Sequence, residues 1–497
     1  MQETIRIHES DNVAVALKKL IKGQEVSTGT EIIIIEEEIP VGHKFAIADL
    51  PPEAEVIKYG YSIGRTIKPV RRGEWVHTHN LKTGLGELLQ YSYQPLKQTK
   101  LMPPEISNVN SFYGYRRENN TVGIRNEIWI IPTVGCVNDV ARALERKGRE
   151  HLPDGIDDVV AFTHPYGCSQ LGEDQVNTQK ILAGLIKHPN AVGILVLGLG
   201  CENNQVEELR KQIGDYSTDR VKFLVCQECE DEIEQGMKLI TDLMNYGTNA
   251  KREKISASEL IVGLKCGGSD GLSGITANPL VGAFSDRLIA GGGTTILTEV
   301  PEMFGAETIL MNRCADITLF HKTVSMINDF KQYYIDYGQP VYENPSPGNK
   351  EGGITTLEDK SLGCTQKAGQ SQVMGVFRYG EQVTGKGLLL LSSPGNDLVA
   401  STALAAAGAH LILFTTGRGT PFGAPVPTMK ISSNTTLAET KRGWIDFDAG
   451  RLLQGISLEE LSEELYQRVL ATASGKLVKS EENGYRDIAI FKQGVTL

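Results

Sequence analysis

Residues 263–282 read GLKCGGSDGLSGITANPLVG, which sets Cys266, Ser269, Asp270 and Ser273 among glycines where an apolar strand should become a helix. Core packing has no use for such a stretch. A site for a small anionic ligand, built around a metal, does. Thiolates and carboxylates ligate cations, and glycines let the backbone come close to a ligand. Similar turns recur as VGCVN (Cys136), YGCSQ (Cys168), LGCEN (Cys201) and LGCTQ (Cys364). THPYG adds His164, and TTGRGTPFG adds Arg418, whose guanidinium fork suits a carboxylate. VHTHN carries His77 and His79, which share one face if the segment is a strand.

Each feature also has a structural reading: a tight turn, a hydrogen-bonded loop histidine, a salt-bridged arginine, two exposed histidines. CQEC (Cys226, Cys229) has metal or redox spacing, but no second pair follows at zinc-finger distance. Cys314, in helical-looking MNRCAD, reads as core. The absence of GxxxxGK[ST] and of a strand-bound GxGxxG weakens a phosphate-loop reading.

Position favours chemistry. Runs such as EIWIIPTVGC, DDVVAFTHPYGC, AVGILVLGLGCE, ELIVGLKCGG, TTILTEVPE, GLLLLSSPGND and HLILFTTGRG are apolar and end in turn residues, with amphipathic stretches after them. That alternation predicts an α/β fold with a mostly parallel sheet. Such sheets bind ligands at the carboxyl ends of their strands, where helix N-termini present unpaired amides. The turn thiols, His164, Asp270, Glu299, Glu302, Asp397 and Arg418 all fall there, which argues for one large site.

Residues 1–85 form a separate block of short β-branched runs between turn signals (IKGQ, VGHK, LPPE, RRGE), the pattern of a small β module. Residues 86–110 lack periodicity and read as a linker. An α/β region over 111–250 precedes a second over 251–497, with a helical patch near 302–338 and a long polar insertion at about 340–372. A formal charge of −11 argues against binding nucleic acid or an anionic membrane, although a local pocket can still be positive. The longest apolar runs are too short to span a bilayer, and no export signal is visible, so a cytoplasmic location is expected. Eight cysteines in so long a chain are expected as thiols, not as a disulfide scaffold.

The run GYRRENNTVGIRNEIWIIPTVGCVN, with HPYGCSQLGEDQVNT, LGLGCENNQ, LKCGGSDGLSGITANP, TEVPEMFGAE, SSPGND and WIDFDAG, closely resembles the altronate/galactarate dehydratase family. The likeness covers essentially the whole chain and is nearest to the altronate branch. It implies an N-terminal β-clip (SAF) module and a Rossmann-like C-terminal part that binds no nucleotide. It also implies a homodimer with its contact in the middle region, and a role in hexuronate catabolism. The implied activity is loss of water from D-altronate to give 2-dehydro-3-deoxy-D-gluconate, with ferrous iron or manganese. Galactarate is the alternative substrate.

Removing the C2 proton beside a carboxylate builds a second negative charge, so a cation and positive donors are needed. Cys168, Cys201, Cys266 and Cys364 are the expected metal set, since thiolates suit iron better than magnesium or calcium. One Fe²⁺ with mixed ligands and an iron–sulfur cluster on three cysteines both remain open. Lys265 and His164 rank first as the base, and Asp270, Glu299 and Glu302 as ligands or proton carriers. Ser269, Ser273 and Arg418 are expected to hold the sugar acid, with His77 and His79 closing over it. An epimerase using the same enediolate chemistry, or a sugar-acid-binding redox sensor, are the rival readings.

Overall fold

The turn signals that break the N-terminal block into short runs break it into short strands. In the computed structural model, which describes residues 2–29, 31–86, 88–96, 110–494 and 496, Val13–Ala16 pairs antiparallel with Thr4–Ile5 and Lys44–Ala46, and Trp75–Val76 completes the sheet. A second small sheet sets Tyr61–Thr66 between Glu55–Lys58 and Leu81–Lys82. VHTHN does not continue as a strand. The chain turns after Val76, and Asn80 Oδ1 accepts the His77 N–H at 2.9 Å, so the shared strand face expected for His77 and His79 does not form.

Of the linker expected over 86–110, residues 87 and 97–109 lie outside the described residues. The part that is described follows the C-terminal region: Tyr91 Oη donates to Glu307 at 2.6 Å and Tyr93 Oη to the Cys314 carbonyl at 2.7 Å.

The expected α/β texture is present twice. Glu127–Pro132, Val159–Ala161, Ala191–Gly198 and Val221–Val225 form one parallel sheet, covered by helices such as Gly172–Lys187 and Glu232–Gly247. AVGILVLG is buried along its whole length, as a strand covered on both faces must be. The second sheet has seven parallel strands in the order Val373–Phe377, Gly387–Leu391, Thr294–Leu297, Ile261–Cys266, Leu411–Thr416, Thr428–Ser432, Phe447–Asp448. The chain runs one way from Ile261–Cys266 and later returns to its other side, so the strand order reverses between Ile261–Cys266 and Leu411–Thr416. In open α/β sheets such a switch point, at the carboxyl ends of the strands, is where ligands bind. Helices Gly172–Lys187 and Asp397–Ala406 join the two sheets. At Gly184 a Cβ would come 2.5 Å from the Ala406 carbonyl, so only glycine permits that approach.

The stretch at 340–372 is not a loose polar insertion. It holds helices Pro347–Glu351 and Leu357–Cys364, and every residue of the latter is buried. Its buried charges pair with Lys44 and Lys58 of the N-terminal module and with Glu299 and Glu302 of the C-terminal region, which is why a core helix looks polar in sequence.

Candidate active site

The Ile261–Cys266 strand delivers Cys266 to the switch point, and Leu357–Cys364 brings Cys364 up against it with the two sulfurs 3.7 Å apart. Glu302, from the short turn Val300–Glu302 after the neighbouring strand, completes a buried set. Each of Cys266, Glu302 and Cys364 offers one ligand atom, and these lie within 4.8 Å of one another. Ser269 Oγ stands 2.6 Å from Cys266 Sγ. The hydrogen bond from Cys364, helped by Lys367 and Lys360, pulls the Cys266 thiol down to about 5 against the cost of burial; Cys364 is pushed up as the donor.

Three buried lysines surround these anions. Lys360 Nζ lies 2.8 Å from Glu302 Oε1, and against desolvation it holds Glu302 down to about 2. Glu302 Oε2 is buried without a hydrogen-bond partner. Lys367 Nζ stands 3.6 Å from Glu299 Oε2, and Lys265 pairs with Glu299 and with Asp397 (2.9 Å). Glu299 is held at φ 72°, a left-handed conformation uncommon for a non-glycine residue. There its Oε2 accepts the Cys266 N–H at 2.8 Å. Burial, then Glu302, raises the Glu299 carboxyl to about 8 against Lys265 and Lys367.

The donor set fits a thiophilic divalent ion. Two thiolates on one tetrahedral ion with bonds of about 2.3 Å lie roughly 3.8 Å apart, close to the separation of Cys266 and Cys364, and the unpartnered Glu302 oxygen supplies a third donor.

Not every residue expected at the site joins this set. Cys168 and Cys201 are exposed at the edge of the other sheet, outside the buried group. His164 uses both ring nitrogens on backbone: Nε2 donates to the Pro132 carbonyl at 2.8 Å and Nδ1 accepts the Tyr166 N–H at 3.2 Å. Burial pushes it down to about 4, and neither nitrogen is left for a substrate proton. Lys265 is also unsuited to be a neutral base, since Glu299 and Asp397 hold it above the ordinary lysine range despite burial. Asp270 accepts from Ser273 N–H, Ser273 Oγ, Ser433 Oγ and Asn434 Nδ2, which makes it and Ser273 the fasteners of the glycine turn. Arg418 is exposed and pairs with Glu351 at 3.0 Å. His77 is buried, stacks on Trp75 and meets Thr355 Oγ1 at 3.0 Å, while exposed His79 lies against the same indole.

The glycines have a docking role. A Cβ on Gly271 would stand 1.9 Å from the Gly42 carbonyl and one on Gly274 2.3 Å from Tyr59 Oη, so the N-terminal module can seat only on bare backbone. A cavity of about 1100 Å³ lies elsewhere, at the amino ends of both parallel sheets beside Val192, Val221, Ile261 and His410.

Comparison with known proteins matches three family models in chain order. They are the altronate/galactarate dehydratase SAF domain over residues 2–84, the D-galactarate dehydratase/altronate hydrolase second domain over 114–248, and the D-galactarate/altronate dehydratase C-terminal domain over 257–496. Altronate dehydratase of Escherichia coli (strain K12) is 54% identical over 495 residues, 99% of each chain. That of Bacillus subtilis (strain 168) is 52% identical over 501 residues, 100% of each. Galactarate dehydratase (L-threo-forming) of E. coli is 33% identical over 491 residues, covering 95% of this chain and 93% of its own.

The chain belongs to the altronate/galactarate dehydratase family. Lys360 and Lys367 lie in this candidate site although neither was among the residues expected there. Their signal was spacing: they lie four before and three after Cys364 in KSLGCTQK, near one face of a helical segment.

Proposed function

We propose that the protein is a hydro-lyase that converts D-altronate to 2-dehydro-3-deoxy-D-gluconate. The observation that carries the reading is the match to altronate dehydratases at 52–54% identity over full length, against 33% for galactarate dehydratase. Cys266, Cys364 and Glu302 would hold ferrous iron, with manganese as the substitute. Such an ion supplies Lewis-acid stabilisation of the developing enediolate. Lys360 and Lys367 place fixed positive charge beside the same anions, in a dry site where it is worth more than in water. Ser269 offers a hydroxyl next to Cys266 to orient the sugar acid. The C3 hydroxyl leaves as water, and the enol rearranges to the ketone, so electrons balance without a redox cofactor.

Anaerobically prepared protein given Fe²⁺ and D-altronate should yield an α-keto acid that semicarbazide detects. Galactarate turned over faster than altronate would reassign the substrate, and epimerised aldonate without keto acid would refute dehydration. The reading includes a homodimer through residues 111–250, which light scattering tests. It also includes a reducing, cytoplasmic location, supported by eight free cysteines. Among the described residues no helix is long and apolar enough to cross a membrane.

A further inference from the structure

Three neighbouring parallel strands of the middle sheet, Val159–Ala161, Glu127–Pro132 and Ala191–Gly198, run out at one edge into loops that carry Cys168, Cys136 and Cys201. Cysteine is among the most buried residue types, yet all three thiols are exposed, so core packing does not account for them. The loops are tied together. Gly135 N–H donates to the Tyr166 carbonyl at 2.9 Å, Asn204 N–H to that of Gly167 at 3.0 Å, and Ser169 N–H to Asn203 Oδ1 at 2.8 Å. Asn204 Nδ2 reaches back to the Thr133 carbonyl at 3.0 Å. Ser169, next to Cys168, sits at φ 58°, a conformation that persists only where the surroundings enforce it and that clusters at ligand sites.

We propose that Cys136, Cys168 and Cys201 bind an iron–sulfur cluster that leaves one iron without a protein ligand, at a centre separate from the buried Cys266–Glu302–Cys364 set. Spacing selects a cluster over a single ion. Among the described residues, only Cys266, Glu302 and Cys364 bring three ligand atoms within 4.8 Å of one another. The three exposed thiols therefore do not all lie within that distance of one another, as one shared ion would require, whereas a cluster offers each thiolate a different iron. Gln227, just past the strand Val221–Val225, points Nε2 at Cys201 Sγ from 3.5 Å, and hydrogen bonds to sulfur tune cluster potentials. Cys226 and Cys229 are partly buried and packed against the core of this region.

The proposal does not rest on the dehydration reading. Its test is the full chain reconstituted anaerobically with ferrous iron and sulfide, with acid-labile sulfide and visible sulfur-to-iron absorption measured per chain. Wild type and the Cys266→Ser/Cys364→Ser variant should hold equal sulfide. Cys136→Ser, Cys168→Ser and Cys201→Ser should each lose it at least tenfold with circular dichroism unchanged, since the side chains are exposed. Iron without sulfide in wild type overturns the cluster while leaving the proposed activity standing. So does sulfide retained in the Cys136→Ser/Cys168→Ser/Cys201→Ser variant, or lost only with Cys266 and Cys364.

Discussion

Asp359→Asn tests how the N-terminal module is held over the site. Asp359 Oδ2 lies 2.8 Å from Lys44 Nζ and Oδ1 2.9 Å from Lys58 Nζ, all three side chains being almost wholly buried. An asparagine of equal size turns one oxygen into a donor, so one ammonium loses its acceptor and faces another N–H. Removing one partner of a buried ion pair costs about 3–5 kcal/mol. Lys44, already pushed down to about 8 by burial, can shed its proton in the variant, which places the cost toward the lower figure. The Gly84 N–H, which donates across the seam to Glu358 at 2.7 Å, reports the opening. Its hydrogen-exchange protection should fall by roughly 10²-fold or more, since each 1.36 kcal/mol is tenfold.

The pH dependence has a definite sign. Lys44 and Lys58 overcome desolvation and hold the Asp359 carboxyl below its ordinary range. The stabilisation is therefore full above the unfolded value of about 3.9 and is lost as pH falls below it. Wild type and variant should converge by about 1.4 kcal/mol per pH unit in that window. Gly84 protection within threefold of wild type at neutral pH would refute the reasoning. An Asp359→Leu/Lys44→Met/Lys58→Met variant that stays docked would confirm that uncompensated charge, not lost shape, causes the opening.

Glu302→Gln should weaken ferrous iron binding roughly 100-fold or more, beyond what loss of an outer-shell partner does, with secondary structure intact; near-native affinity in a metal titration removes Glu302 from the ligand set. His164→Gln should keep the acid limb of the pH–rate profile, because burial holds the ring neutral down to about pH 4 and both nitrogens serve the backbone. Its cost should appear as about 1–3 kcal/mol of stability from an unsatisfied buried group, and a vanished limb would restore His164 as the base. Gly274→Ala should lower stability by about 1–3 kcal/mol through overpacking against Tyr59 Oη. Tyr59→Phe in the same chain should recover part of that loss, and no recovery in a thermal melt would place the clash elsewhere.

The alternation of apolar runs and amphipathic stretches was enough to place Cys266, Glu299, Glu302 and Arg418 at strand ends, because strand periodicity and chain breaks are local properties. The glycines of LKCGGSDG marked a special turn for the same reason. Which of these side chains meet was not local. Cys364 reaches Cys266 only because residues 357–364 form a buried helix, and that helix is concealed in sequence by charges whose partners, Lys44, Lys58 and Glu302, lie in other segments. Cys168 and Cys201 had the same turn signature as Cys266 but belong to a different sheet, and sequence spacing carries no information on which sheet edge a loop faces. His164 could be read as a base or as a hydrogen-bonded loop histidine, and only folding, which places both its nitrogens on carbonyl and amide neighbours, decides for the second. Residue type and local period thus determined the inventory of reactive groups, while long-range packing decided which were buried together, charged, or already satisfied, since desolvation and pairing exist only once distant segments touch.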